Sequence, residues 1–364
     1  MALMSLREMR RRVGRLAIAG FAGPTLPPEL GNIAREFDLG GVIYFARNIV
    51  EPDQVRELSR QSAALQRDWP LWISIDQEGG RVARLKRPFT EWPPMNTLGR
   101  SGDDEMAARF ARALADELRA VGINLDYAPV LDVHTNPKNP VIGDRALSDR
   151  AEIVARLGSV LIRSLQEAGV AACGKHFPGH GDTSADSHLE LPCVDQSPER
   201  IRAVELLPFR AAVAADVACI MTAHVLVPAL DDARPATLSP VIVTDLLKTA
   251  MGYRGMVISD DLGMKAISAS TGLGEAMVLS LLAGCDAVLL CNQTPDEQFS
   301  AIETVVKAVE SGRVPMTRID DALERQERVK HRFLGAARAE LDTPMSRIGC
   351  EEHQRLAAAM AKWA

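Results

Sequence analysis

The chain has 364 residues, of which 47% are hydrophobic and 25% charged, a composition typical of a globular protein with enough apolar material for a large core. The formal net charge of −6 argues against a general nucleic-acid-binding protein, which would present a basic surface. Aromatic residues make up 4% of the chain, so a long polysaccharide cleft lined with stacking rings is not expected either.

Near the start of the chain, basic residues precede a short apolar run in segment 10–23. A secretory signal has the same order, but this apolar part contains two glycines and is followed by Pro24, so we interpret it as a helix that leads into a first buried strand. No stretch approaches the ~20 apolar residues that a membrane helix needs. The six cysteines include no CxxC pair and are interpreted as reduced thiols. We therefore expect a cytoplasmic protein that does not contact a membrane.

Short apolar runs rich in β-branched residues alternate along the chain with segments of helical periodicity. Near-continuous apolar runs are typical of parallel strands that are covered on both faces. They predict strands at 15–21, 40–45, 71–76, 124–133, 170–177, 218–225, 255–260 and 286–291. The amphipathic segments between them predict helices at 103–122 (with Ser101 as a possible N-cap), 151–169, 198–216, 273–284 and 298–312.

Strands that alternate with helices in this way predict an α/β protein of the (β/α)8 barrel type, whose usual size is ~250 residues or more with insertions. A doubly wound sheet is the alternative, but no GxGxxG turn follows the first strand. We assign residues 1–340 to a single barrel domain and residues 341–364 to a C-terminal helical extension. Residues 178–197, here called the lid, show no helix or strand pattern, and Gly179 and Gly181 are expected to let this segment open and close.

Polar residues collect where the predicted strands end. In barrels of this type the active site lies at the C-terminal ends of the strands, so such a distribution indicates an enzyme. The residues at these positions are Asp76, Asp132, Lys175, His176, His224, Asp260 and Asn292.

The segment CGKHFPGHGDTSADSHLELP (173–192) is compatible with several kinds of site. A metal-dependent barrel hydrolase would use His176, His180 and His188 as ligands, but Pro178 and the adjacent glycines exclude the regular helix that HxxxH spacing would need. A phosphate loop would need GxxxxGK[ST], which is missing.

Acid–base catalysis accounts for more of this segment. Asp186 and His188 are two residues apart, and a carboxylate beside an imidazole suits proton transfer near neutral pH. The alternative is that both residues only cap turns. A carboxylate nucleophile would come from Asp260, which ends a predicted strand and is expected to point into the mouth of the barrel, whereas Asp261 is expected to cap the following turn.

Four sequence blocks resemble glycoside hydrolase family 3, in particular its single-domain β-N-acetylhexosaminidases. The blocks occur in the same order as in that family and extend over most of the chain. They are IDQEGGRVAR (75–84), NPVIGDRALS (139–148), GKHFPGHGDTSADSH (174–188) and VISDDLGM (257–264).

The resemblance implies retaining hydrolysis of a terminal, non-reducing β-linked N-acetylglucosamine, with Asp260 as nucleophile and His188 as a general acid/base paired with Asp186. It also implies that the sugar is bound by Asp76, Arg84, Arg145, Lys175 and His176. Single-domain members of the family usually recycle cell-wall fragments in the cytoplasm, so an N-acetylglucosaminyl muropeptide or a chito-oligosaccharide is the expected substrate. No metal or other cofactor is implied, and we expect a monomer.

Overall fold

Eight parallel strands close into one barrel in the computed structural model, which describes residues 5–66, 68–187, 189–335 and 343–364. Each strand pairs with its neighbours in chain order, and the first strand also pairs with the last. The predicted (β/α)8 architecture is therefore confirmed. The strands are β1 (Ala17–Ala19), β2 (Gly41–Tyr44), β3 (Trp72–Ile75), β4 (Leu125–Asp126), β5 (Ala171–Phe177), β6 (Cys219–Thr222), β7 (Met256–Asp261) and β8 (Ala287–Leu290).

Helices surround this barrel and connect its strands. Two π-helical segments, Ile201–Glu205 and Val241–Ala250, stand beside the regular α-helices. The α-helices are α1 (Leu6–Gly14), α2 (Pro28–Phe37), α3 (Pro52–Ala63), α4 (Asn96–Ser101), α5 (Asp104–Ala120), α6 (Ala151–Glu167), α7 (Pro198–Arg200), α8 (Leu206–Ala214), α9 (Lys265–Ser268), α10 (Leu273–Ala283), α11 (Pro295–Glu310), α12 (Met316–Leu334) and α13 (Glu351–Ala361).

The fourth strand is much shorter than the predicted run 124–133. Regular pairing stops after Asp126, because Pro129 has no N–H to donate to a ladder. The chain nevertheless stays beside β5, since the Leu131 N–H donates to the Lys175 carbonyl at 2.6 Å. This irregular continuation brings the following loop close to the C-terminal end of the barrel.

Two helix starts also differ from the prediction. The N-cap of α5 is Asp103 and not Ser101, because the Asp103 carboxylate accepts the free N–H groups of the first turn, whereas the Ser101 hydroxyl bonds back to the Leu98 carbonyl. Helix α11 begins three residues before the predicted start at 298, since Thr294 and Glu297 form a capping box around its first turn.

Helix α12 closes the N-terminal opening of the barrel. Its Val329 and Phe333 belong to the same buried cluster as the side chains inside the barrel. Gln326 Nε2 donates to the Asp286 carbonyl at 2.7 Å, and Lys330 Nζ donates to the Gly40 carbonyl at 2.8 Å, both beside the starts of strands. A ligand is therefore expected to enter at the C-terminal ends of the strands.

The C-terminal part of the chain packs on the outside of the barrel. The predicted boundary at residues 340 and 341 lies outside the described residues. In α13, Leu356 and Met360 are buried in the main core. His353 Nδ1 lies 3.0 Å from Oε1 of the buried Glu117 on α5. None of the helices that the structure describes is both long and apolar enough to cross a lipid bilayer.

Candidate active site

A cavity of about 230 Å³ opens at the C-terminal ends of β3, β5, β6 and β7. A larger cavity of about 450 Å³ lies on the same face beside the ends of β1 and β8, and none of the predicted site residues lines it. The eighth predicted site residue, His188, lies outside the described residues. The other seven all line the smaller cavity and are Asp76, Arg84, Arg145, Lys175, His176, Asp186 and Asp260.

Asp260 reaches the cavity from the end of β7, as predicted. Its Oδ1 accepts the N–H of Asp261 at 2.8 Å. Burial raises the pKa of the Asp260 carboxyl, but the nearby imidazoles of His224 and His176, together with that N–H donor, lower it more, so the net pKa lies below its ordinary value. Asp260 is therefore ionised at neutral pH, which is the state that a carboxylate nucleophile requires.

The neighbouring Asp261 carboxylate is used differently. Its Oδ1 accepts the backbone N–H groups of Gly263 and Cys291, each at 3.1 Å. The predicted role of Asp261 as a cap of the following turn is thus confirmed, and its carboxylate joins the ends of β7 and β8. Burial raises the pKa of this carboxyl above its ordinary value.

Lys175 lies between two carboxylates on the floor of the cavity. Its Nζ is 2.7 Å from Asp76 Oδ1 and 2.7 Å from Glu78 Oε1, and its side chain is 2% exposed. Burial lowers the pKa of Lys175, but the two carboxylates raise it more, so the net pKa lies above its ordinary value. The lysine is a fixed positive charge whose position is set by the loop after β3.

Glu78 also holds Arg145, which comes from the loop between β4 and α6. Arg145 Nε and Nη2 donate to the two carboxylate oxygens of Glu78 at 2.9 and 2.8 Å. Burial raises the pKa of Glu78, but Arg145 and Lys175 lower it well below its ordinary range. One buried carboxylate therefore orients two of the predicted binding cations, while the third, Arg84, reaches Asp76 with Nη2 at 3.4 Å.

His176 is oriented by a second buried carboxylate. Its Nδ1 lies 2.7 Å from Asp132 Oδ2, and Asp132 is completely buried. Burial raises the pKa of Asp132, but His176 and His180 lower it more. Because Nδ1 faces the carboxylate, Nε2 is the ring nitrogen available to the cavity, and the imidazole has a defined orientation.

The first part of the lid is held against the loop after β4. Asp182 accepts hydrogen bonds from Thr135 Oγ1 and Gln196 Nε2, both at 2.7 Å. Asn139 Nδ2 donates to the His180 carbonyl at 2.7 Å. At Gly181 a Cβ atom would come within 1.8 Å of the Val133 carbonyl oxygen, so this glycine is required by close backbone contact. His180 and Asp182 therefore fix the shape of the lid.

The sequence model described as "Glycosyl hydrolase family 3 N terminal domain" matches residues 10–329. The chain belongs to glycosyl hydrolase family 3. The family resemblance that the four sequence blocks indicated is thereby confirmed, and the chain is placed among the glycosidases.

Individual members of family 3 match most of the chain. Beta-hexosaminidase A of Pseudoalteromonas piscicida is 36% identical over 362 residues, a match that covers 93% of this chain and 60% of that protein. A family 3 β-N-acetylglucosaminidase from Paenibacillus sp. str. FPU-7 superposes with a TM-score of 0.92 at 42% identity, covering 99% of this chain and 69% of that one. Native NagZ from Neisseria gonorrhoeae superposes with a TM-score of 0.79 at 34% identity, covering 95% and 97%.

Glu78 and Asp132 hold cavity-lining side chains of this family 3 site in place, and the sequence predicted neither a catalytic nor a binding role for them. Glu78 stands inside the IDQEGGRVAR block, and Asp132 interrupts the apolar run at 124–133. This run contains two acidic residues, Asp126 and Asp132, and an acidic residue within an apolar run is a signal for a buried carboxylate that is either protonated or paired. The identity of its partner depends on the three-dimensional structure, since 44 positions separate His176 from Asp132 in the chain.

Metal binding was the alternative use of the histidines in this family 3 barrel. The ring centroids of His176 and His180 are 6.0 Å apart. Each ring has a nitrogen in a hydrogen bond, His176 with Asp132 and His180 with Thr183. Within residues 5–66, 68–187, 189–335 and 343–364, no group of three or more His, Cys, Asp or Glu side chains is arranged to hold a metal ion.

Proposed function

We propose that this family 3 glycosidase is a retaining β-N-acetylhexosaminidase that removes terminal, non-reducing β-linked N-acetylglucosamine. The observation that carries the proposal is that Asp260, with its lowered pKa, and Asp186 of the lid line the same cavity. The related proteins from Pseudoalteromonas and Paenibacillus, named as a β-hexosaminidase and a β-N-acetylglucosaminidase, support the sugar specificity.

In the first step, a carboxylate oxygen of Asp260 attacks the anomeric carbon and a glycosyl ester forms as the glycosidic C–O bond breaks. Asp260 Oδ1 already accepts a backbone N–H, so Oδ2 is the better nucleophile. In our proposal, His188 gives a proton to the departing oxygen, and Asp186 stabilises the imidazolium that carries this proton.

In the second step, water replaces Asp260 at the anomeric carbon. The neutral His188 takes a proton from this water, and the Asp260 carboxylate leaves as the ester is cleaved. Two successive inversions give a product with the β configuration of the substrate. The usual spacing of two catalytic carboxylates in retaining enzymes does not apply here, because the proposed proton donor is an imidazole.

The remaining cavity residues are proposed to bind the sugar. An ammonium group has three N–H donors, and two of those on Lys175 point to Asp76 and Glu78, which leaves the third for a ring hydroxyl. Asp76 would accept from ring hydroxyls, and His176 would offer Nε2. Arg84 and Arg145 would then position the sugar and its acetamido group.

We further propose that the enzyme acts as a monomer in the cytoplasm and recycles muropeptides. The match to gonococcal NagZ, which covers 97% of that chain, supports an enzyme of this type. All six cysteines are free thiols, as expected in a reducing compartment. Turnover of N-acetylglucosaminyl-anhydromuropeptide should then exceed turnover of diacetylchitobiose, and light scattering should give the mass of one chain. A preference for chitobiose would argue against the recycling role.

The activity itself is tested with 4-nitrophenyl N-acetyl-β-glucosaminide. We expect hydrolysis that EDTA does not abolish, with the β product appearing first by proton NMR. Asp260→Asn should lose nearly all turnover. Asp261→Asn is the matched control, because an amide oxygen can still accept the bonds from Gly263 and Cys291. No hydrolysis by the wild type, an inverted product, or loss of activity on metal removal would each refute the proposal.

The role of His188 requires a comparison of leaving groups. His188→Ala should spare a nitrophenyl glycoside far more than a disaccharide, because a nitrophenolate departs without a proton. Equal losses on both substrates would contradict the acid/base assignment.

A further inference from the structure

Ser187 is a buried residue close to an exposed part of the lid. It is 2% exposed, whereas Leu189, two residues later, is 68% exposed. In the chain it stands between Asp186 and His188, the two residues proposed above for proton transfer. The contacts that bury Ser187 therefore help to determine where this part of the lid lies.

Two hydrogen bonds fix Ser187, one to the first part of the lid and one to the segment after β7. Its Oγ lies 3.1 Å from His180 Nε2, and its carbonyl accepts the N–H of Ala266 at 3.2 Å. Ala266 lies in α9, the short helix that follows the Asp260 strand β7. Ser187 thus connects this part of the lid both to the first part of the lid, at His180, and to the segment after β7, the strand that carries the proposed nucleophile.

His180 is itself rigidly held. Its backbone N–H donates to Asp132 Oδ1 at 2.6 Å, and its Nδ1 lies 2.8 Å from Thr183 Oγ1. Burial lowers the pKa of His180 to about 4, so the ring is neutral at pH 7 and offers one donor and one acceptor. When the Thr183 hydroxyl donates to the His180 carbonyl, Nδ1 carries the hydrogen and Nε2 accepts from Ser187.

We propose that His180 and Ser187 are positioning residues for the proton transfer, and that the hydrogen bond between them, here called the latch, holds Asp186 of the lid at the cavity. This inference rests on the proposed glycosidase function. A general acid must be within hydrogen-bond reach of the departing oxygen, and a misplacement of about 1 Å reduces the rate strongly. Without the latch, the proton donor would spend less time at that distance.

The test compares Ser187→Ala with Ser184→Ala on two substrates. Ser184 is an exposed serine of the same lid, so its replacement removes the same hydroxyl group without touching the latch. Ser187→Ala should lower kcat/KM for diacetylchitobiose about tenfold more than for the nitrophenyl glycoside, because only the sugar leaving group needs a proton. Ser184→Ala should leave the ratio of the two values as in the wild type.

A double-mutant cycle with His180→Gln tests whether the two residues act together. If both residues act through the latch, the double variant Ser187→Ala/His180→Gln should lose no more chitobiose activity than the less active of the two single variants. Equal losses on both substrates, or additive losses in the cycle, would overturn the latch while the glycosidase proposal stands. A wild type that cleaves neither substrate would overturn both proposals.

Discussion

Replacement of Glu78 by glutamine should destabilise the protein strongly, although the two side chains have the same shape. The Glu78 carboxylate is 2% exposed and contacts both Arg145 and Lys175 at 2.7 to 2.9 Å. Glutamine removes the negative charge and turns an amide N–H₂ towards one of the two cations. Removal of one partner from a buried ion pair costs about 3–5 kcal/mol, because the remaining charge stays buried without compensation.

This cost corresponds to a measurable shift in melting temperature. An unfolding entropy of about 2.1 cal/mol/K per residue over 364 residues gives about 0.76 kcal/mol/K for the whole chain. A loss of about 3–5 kcal/mol therefore lowers Tm by about 4–7 °C. Differential scanning calorimetry at pH 7 measures the shift, and KM for the nitrophenyl glycoside should rise because Arg145 loses its anchor.

Asp144→Asn is the matched control for this change. It breaks the ion pair between Asp144 and Arg81 in the adjoining loop, where the side chains are 40% and 48% exposed. Exposed pairs contribute about 0–1 kcal/mol, so Tm should fall by no more than about 1 °C. If Glu78→Gln melts within 1 °C of this control, or if its KM is unchanged, Glu78 does not compensate the two cations as argued.

Three further changes test other buried groups. Burial raises the pKa of Asp126 well above its ordinary value, so the folded state retains a proton and the free energy of unfolding falls as pH rises through that pKa. Asp126→Asn should therefore match the wild type near pH 4 and melt at a higher temperature at pH 7. Equal melting temperatures of the two proteins at pH 7 would contradict this. Burial lowers the pKa of Lys330, so the free energy of unfolding of the wild type should rise with pH up to about 10.5. Lys330→Met should lack this rise, and thermal melts from pH 7 to 10 measure the difference. Asp132→Asn should release the ring of His176 and raise KM while the fold is retained by circular dichroism, and an unchanged KM would argue against that role.

The barrel could be predicted from the sequence because its strands are continuous apolar runs covered on both faces. Their alternation with helices leaves few other architectures. The first and last residues of individual helices and strands were harder to predict. At β4 a proline ended regular pairing inside an apolar run, and at α5 two polar residues competed for the cap, so both limits depended on local hydrogen bonds.

Asp76, Lys175, His176 and Asp260 could be located because polar groups follow successive strands and these ends meet in a barrel, whereas Arg84 and Arg145 were implied only by the family resemblance. Which of these residues form ion pairs with each other could not be predicted. Lys175 is 99 positions from Asp76, and neither its partner nor its burial follows from an apolar pattern. The hydrogen bond from His180 to Ser187 could not be predicted either. Gly179 and Gly181 suggest only flexibility, whereas the close contact at Gly181 shows that part of this segment is tightly packed.

The charge balance of the cavity favours an uncharged ligand, and this leads to a last prediction for Glu78. Three cations, Arg84, Arg145 and Lys175, are balanced by three carboxylates, because Asp76 and Glu78 contact them and the ionised Asp260 lines the same cavity. An entering anion would therefore find no uncompensated charge, whereas a neutral sugar can exchange hydrogen bonds with every group. Glu78→Gln leaves an excess positive charge, so inorganic phosphate should inhibit this variant at concentrations that leave the wild type unaffected. Equal inhibition of both would mean that Glu78 has no part in excluding anions, and selectivity against charged ligands would then have to come from the lid.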